Sequence, residues 1–155
     1  MKKTNAARIL DRLKINYELI EYQVDETDLS AVHLAETAGI PITQVYKTLV
    51  LEGDKNGYFV CIIPGNDEID LKKAAVATLN KKVAMIPMKD LEPLTGYIRG
   101  GCSPLGMKKQ FPVYIDENAF NHPLIYVSAG ARGMQIKLSP TDLQSASKAI
   151  RVKLT

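Results

Sequence analysis

Val45-Tyr-Lys-Thr-Leu-Val-Leu-Glu-Gly-Asp-Lys-Asn-Gly-Tyr-Phe-Val-Cys-Ile-Ile63 reads as two strands joined by a turn. Val45 to Glu52 alternates with period two, Gly53 to Gly57 supplies turn residues, and Tyr58 to Ile63 is β-branched and aromatic. A hairpin with a medium loop follows. On the first strand the alternation puts Val45, Lys47, Leu49 and Leu51 on one face and Tyr46, Thr48, Val50 and Glu52 on the other. Lys47 therefore stands in an apolar row. An ammonium there must find a partner, snorkel to water or face a cleft, where it can bind an anion or polarise a carbonyl.

Upstream, Thr4 or Asn5 caps a helix whose apolar residues Ala6, Ile9, Leu10 and Leu13 fall on one face. Tyr17 to Val24 has strand composition, and Ser30 caps a short helix, Ala31 to Ala38, stopped by Gly39 with Pro41 beyond. Downstream, Pro64-Gly65 ends the hairpin and Asp70 caps a helix from Leu71 to about Leu79. Lys82 to Ile86 reads as a short strand, followed by a turn from Asp90 to Leu94. Phe111 to Ile115, Pro123 to Ser128 and Met134 to Leu138 read as strands, the last two joined by the tight turn Ala129 to Gly133. Ser139-Pro140-Thr141-Asp142 opens a final helix that ends near Ala149. Strands in hairpin connection, interrupted by isolated helices, predict an α+β fold around a largely antiparallel or mixed sheet.

One stretch fits no regular element. Gly96-Tyr-Ile-Arg-Gly-Gly-Cys-Ser-Pro-Leu-Gly-Met-Lys-Lys109 gathers glycines, a proline and three cations. Glycine permits φ > 0 and close approach to the backbone, so the segment is either a shaped cradle for an anion or oxyanion, or a surface connection whose glycines only make turns.

The 155 residues, 46% hydrophobic and 24% charged, fit one domain with a real core, residues 1–155. No apolar run is long enough to span a membrane, and Met1-Lys-Lys-Thr-Asn5 turns amphipathic at once, so a soluble, cytoplasmic protein is expected. A net charge of +3 is too small to mark the whole chain as a nucleic-acid binder. Between Gly96 and Lys137, however, Arg99, Lys108, Lys109, Arg132 and Lys137 face only Asp116 and Glu117, a local positive excess. Cys61 lies in a strand pattern and Cys102 in the glycine loop; a reducing compartment suits both.

Several chemistries are excluded by spacing. Gly101 and Gly106 begin a P-loop pattern, yet Met107 stands where lysine should, which removes a nucleotide triphosphatase. Gly101-Cys-Ser-Pro-Leu-Gly106 is not a nucleophile elbow, because Pro104 breaks the turn that motif needs. Two cysteines and two histidines, scattered along the chain, make no zinc site; no metal and no cofactor are expected. Cys102 with His33 or His122 remains a conceivable thiol and base, though neither histidine has a distinctive setting.

Three motifs occur in order: Val45-Tyr46-Lys47-Thr48-Leu49, the glycine loop from Gly96-Tyr97 through Lys109, and Tyr126-Val127-Ser128-Ala129-Gly130 with Arg132-Gly133. Together they resemble the YbaK/EbsC family over essentially the whole chain. That resemblance implies a free-standing relative of the editing domain of some prolyl-tRNA synthetases, with a mixed, barrel-like sheet flanked by helices. It implies an aminoacyl-tRNA deacylase, most often acting on cysteinyl-tRNA(Pro), with aminoacylated tRNA and prolyl-tRNA synthetase as partners. Carried over by position, Lys47 sits at the pocket centre with Gly100 and Gly101, and Ser128 lines it. Tyr22 and Thr48 match pocket positions less closely, and Arg132 joins them as a substrate-binding position. Many relatives carry an aspartate two residues after the Arg-Gly motif, where this chain has Gln135.

The mechanism implied needs no protein nucleophile: N–H groups around Gly100 and Gly101 receive the ester oxygen, Lys47 fixes the terminal ribose, phosphate or carbonyl, and the substrate's own thiol or a water attacks. Two other readings stay open, a non-catalytic module that holds aminoacyl-tRNA or a synthetase, and a small-molecule hydrolase built on Cys102.

Overall fold

The computed structural model describes residues 3–155. The first helix, α1 (Asn5–Arg12), is capped by Thr4, whose hydroxyl oxygen accepts the Ala7 N–H, and buries Ala6, Ala7 and Leu10. Strand β1 (Glu18–Glu21) and helix α2 (Ala31–Ala38) follow, the latter capped by Ser30 and ended by Gly39 at φ 68°. The expected hairpin is β2 (Tyr46–Gly53) and β3 (Gly57–Pro64), in register from Tyr46 opposite Pro64 to Gly53 opposite Gly57. Beyond it come α3 (Leu71–Ala77), β4 (Val83–Met85), α4 (Leu91–Thr95) and β5 (Val113–Asp116). The chain closes with β6 (Ile125–Ser128), β7 (Met134–Leu138), α5 (Pro140–Ser147) and β8 (Ile150–Val152).

Two sheets form, β1-β7-β6 and β4-β2-β3-β5-β8. Pairing is antiparallel except for β3 with β5 and β5 with β8, so the architecture is α+β with mixed, mostly antiparallel pairing. The hairpin is buried on both sides. Tyr46, Val50, Val60 and Ile62 join the main core with Ile125, Val127, Ile136 and Leu143, while Leu51, Phe59, Cys61 and Ile63 pack a second cluster with Ala74 and Leu154. Strands covered on both faces read as continuous apolar runs, as Tyr58 to Ile63 does.

The barrel-like closure is an expectation that changes. The two sheets meet at a single parallel bridge, Val45 with Tyr126, and do not close. The reason lies along one edge of β2. Its start touches β6 at that bridge, and its end pairs with β4 from Leu51 to Gly53. Between those partners the edge is free.

Two short elements escape sequence reading. Helix α4 replaces the expected turn because Pro93 falls in its first turn, where a missing N–H costs nothing, and Gly96 at φ 82° ends it. Strand β8 owes its existence to parallel pairing with β5, a partner far away in sequence. It follows α5 after Lys148 turns the chain at φ 56°.

Candidate functional site

A cavity of about 540 Å³ opens along the free edge of β2. Consecutive residues Val45 to Val50 border it, which a strand presents only edge-on, because alternate side chains leave on opposite faces. Backbone alternation sharpens this. The Val45 carbonyl points toward β3, accepting the Gly65 N–H at 2.7 Å, whereas the Val50 carbonyl points the other way, accepting Ile86 N–H at 3.3 Å. Thr48 shares the parity of Val50, so its peptide groups face the cavity edge, where neither β4 nor β6 is in register with it.

Three further walls complete the space. Leu29, Ser30, Ala31 and Leu34 come from the start of α2. That helix seats closely because position 65 is glycine: a Cβ there would lie 2.6 Å from the Ala31 Cβ. Met85, Ile86, Met88 and Leu91 form an apolar wall after β4. Ser128 and Gln135, cross-strand partners on β6 and β7, face the cavity together, and Arg99, Gly100 and Cys102 bring in the glycine loop.

The loop is a built object. The Lys108 N–H donates to the Thr95 carbonyl at 2.8 Å and closes its neck, as in an Ω-loop. Inside, the Tyr97 hydroxyl donates to the Leu105 carbonyl at 2.6 Å, and its ring packs so closely on Gly130 that a Cβ there would meet it at 3.0 Å. Burial pushes the Tyr97 phenol up to about 12, so it stays a donor. Gly100, at φ 82°, lies beneath Leu29. From outside, Arg132 Nε donates to the Arg99 carbonyl at 2.8 Å, and its guanidinium reaches Glu26 at 3.6 Å.

The positions singled out from sequence thus separate. Lys47, Thr48, Gly100, Ser128 and Gln135 border one cavity. Gly101 does not: its N–H is spent on the Ile98 carbonyl at 3.0 Å, and the absence of a Cβ there is explained by backbone packing, since one would sit 3.2 Å from the Arg132 nitrogen. The N–H expected to receive an ester oxygen at Gly101 is therefore unavailable. Arg132 and Tyr22 also lie off the lining. Arg132 braces the loop, and the Tyr22 N–H donates to the Gly133 carbonyl at 2.9 Å, holding the turn that carries Arg132. Sequence reasoning did not place Arg99, Leu29 or the two methionines at the site. Only Leu29 leaves a signal, as the apolar residue just before a helix cap.

Lys47 is half-buried, and burial pushes its amine below the ordinary lysine value, while Glu68 first and then Asp67 pull it back up. Among the described residues no carboxylate reaches it within ion-pair distance. The cavity lining contains two cations, Lys47 and Arg99, and no Asp or Glu. Three polar atoms of lining residues lack partners among the described residues, Tyr46 Oη, Thr48 Oγ1 and Gln135 Oε1. Cys102 is 9% exposed, and burial pushes its thiol up to about 12. At neutral pH it is protonated and a poor nucleophile. Neither His33 nor His122 lines the cavity beside it.

The model of the aminoacyl-tRNA editing domain matches residues 26–146, most of the chain and all of the walls just described. The chain belongs to the aminoacyl-tRNA editing domain family. An Enterococcus faecalis protein named "Putative Cys-tRNA(Pro)/Cys-tRNA(Cys) deacylase EbsC" is 51% identical over 154 residues, covering 99% of this chain and 94% of that one. The proline–tRNA ligase of Fervidobacterium nodosum is 29% identical over 79 residues, 51% of this chain but 14% of the ligase, so the likeness is to one part of a larger enzyme. A crystal structure described as a "putative trans-editing enzyme for prolyl tRNA synthetase" superimposes with a TM-score of 0.83 at 23% identity, covering 99% of both chains, and establishes the shared editing-domain fold. Among the described residues no helix is long and apolar enough to cross a membrane.

Proposed function

We propose that this chain, as one domain, is an aminoacyl-tRNA deacylase that clears mischarged tRNA in trans, with cysteinyl-tRNA(Pro) as its main substrate. The observation that carries the reading is Lys47, an ammonium without an ion pair, on the same cavity as Gly100 and Ser128. The 51% identity with the Enterococcus protein supports the substrate, and the partial likeness to a proline–tRNA ligase supports prolyl-tRNA synthetase as a working partner in the cytoplasm.

The residues divide the work as follows. The start of α2, where the Ser30 side chain takes up only the His33 N–H, and Arg99 favour the terminal phosphate and ribose at the mouth. Lys47 donates to the ester carbonyl as negative charge develops, in a site dry enough to magnify that contact. Gly100 keeps the loop backbone close, and Met85, Met88 and Leu91 offer an apolar wall that bound substrate covers. For a cysteinyl ester the substrate's sulfur bonds to its own carbonyl carbon, the bond to the ribose oxygen breaks, and the thiol proton ends on that oxygen. Water then opens the cyclic thioester to free cysteine. For other amino acids water attacks directly.

A deacylation panel tests this. Cysteinyl-tRNA(Pro) should be cleared and prolyl-tRNA(Pro) left intact, with alanyl-tRNA(Pro) and cysteinyl-tRNA(Cys) measured alongside at fixed salt. Absence of turnover on every one of them would replace the reading with a non-catalytic aminoacyl-tRNA binder.

A further inference from the structure

Gln135 and Thr48 pose a problem that the reaction does not absorb. Gln135 is only 3% exposed, and neither its amide oxygen nor the Thr48 hydroxyl has a partner among the described residues. A buried polar group left unpaired is destabilising, and Gln135 and Thr48, with the Tyr46 hydroxyl also unpaired on the same face of β2 as Thr48, call for a ligand that satisfies them. Both residues border the cavity, and Thr48 adds peptide groups turned to the same free edge. An amide, a hydroxyl and a peptide unit together offer donors and acceptors without any charge.

The charges in the lining itself have one sign, while Glu18 stands opposite Lys137 outside it. Lys47 and Arg99 line the cavity with the protonated thiol of Cys102, and Lys137, two residues beyond Gln135 on the same face of β7, lies over the Tyr126 ring. Asp67 and Glu68 act on Lys47 from outside the lining. An α-ammonium entering here would lose its water, meet two cations and find only neutral acceptors. Neutral acceptors do not repay the desolvation of a charge. An uncharged nitrogen meets no such barrier, and its N–H satisfies Gln135 or Thr48 once a side-chain rotation turns the buried oxygen toward the cavity.

We propose that Gln135 and Thr48 form a neutral subsite that takes the aminoacyl group with its α-nitrogen uncharged, either as the free amine or as an N-acyl amide. The chain would then act on N-acylaminoacyl esters of tRNA as well as free ones. This rests on the deacylase reading and extends its substrate class.

Binding of two non-hydrolysable probes tests it, an acceptor-stem RNA hairpin ending in 3′-amide-linked cysteine and its N-acetyl counterpart. The N-acetyl probe has no titratable nitrogen, so it reports any contribution of Lys47 or Cys102 to the pH dependence. At pH 6, where the free amine is charged, the N-acetyl probe should bind about tenfold tighter, and near pH 9 the two should agree within about threefold. Gln135→Asp should reverse the preference at pH 6, and Gln135→Glu provides the same reversal should the shorter acid disturb the fold. Thr48→Val, which keeps the shape and removes the hydroxyl, should weaken the N-acetyl probe about tenfold. Preference of the natural chain for the free-amine probe at pH 6, or a preference unmoved by either acid, overturns the subsite. Turnover of cysteinyl-tRNA(Pro) measured in the same preparations separates the two ideas: turnover with the wrong preference sinks the subsite alone, and binding of neither probe without turnover sinks the deacylase reading too.

Discussion

Arg132 Nε donates to the carbonyl oxygen of Arg99 across 2.8 Å, tying the turn between β6 and β7 to the residue before Gly100. Arg132 shares no wall of the cavity, yet it decides where one wall stands. Gly101 lies against the same turn, so the loop and the turn form one packed unit.

Removing that tie should loosen the loop without unfolding the protein. Arg132→Ala is expected to lower deacylation about tenfold while costing about 1 kcal/mol of stability, because the side chain is 27% exposed and its ion-pair partner Glu26 stands in solvent, so no buried charge is left unpaired. Arg132→Lys should restore little, since an ammonium does not reproduce the Nε–H directed at the Arg99 carbonyl. Single-turnover rates beside urea melts of the two variants check this; a rate loss that tracks a large stability loss would assign Arg132 a general structural role.

Gly100 and Gly101 should respond differently to alanine. At Gly100 the positive φ strains any side chain, and a Cβ would crowd Leu29 at 3.3 Å, so Gly100→Ala should cost about 1–2 kcal/mol and reshape the cavity wall. At Gly101 the Cβ would press on the Arg132 backbone at 3.2 Å, outside the cavity. Gly101→Ala should therefore lower the rate only through loop position, with Arg132→Ala giving no further loss in the double variant. Additive losses would separate the two residues.

The hairpin was legible because its signals are local: alternation in Val45 to Glu52, a glycine-bounded turn, and an apolar run. Lys47 stood out for the same reason, a charge in an apolar row. The cavity was not legible, since it exists only where β6 and β4 share one edge of β2 and leave Thr48 between them. Composition made Gly100 and Gly101 look alike. Tertiary packing distinguishes them, opening one to the cavity and burying the other against a turn. Strand β8 and the open junction between sheets likewise depend on partners distant in sequence.

Alkaline pH should unfold this protein early. Burial pushes both Cys61 and Cys102 from 9.0 up to about 12 in the folded chain. A thiol whose folded value is raised contributes stability that is intact below the unfolded value and is lost as pH climbs from about 9 toward about 12. Each thiol should add a slope approaching about 1.4 kcal/mol per pH unit in that window. Urea melts between pH 7 and 10.5 should show the decline, and Cys61→Ala with Cys102→Ala should flatten it. Cys102→Ala should also keep deacylation within about threefold; loss of activity there, with Lys47→Ala active, would revive a thiol nucleophile.

The central claim is that the Lys47 ammonium acts on the ester bound beside Gly100. Single-turnover deacylation of cysteinyl-tRNA(Pro) by the natural chain and by Lys47→Ala tests it most directly, with tRNA affinity measured in parallel. The account predicts a rate about 100-fold lower with affinity within about threefold. An unchanged rate in Lys47→Ala would contradict it.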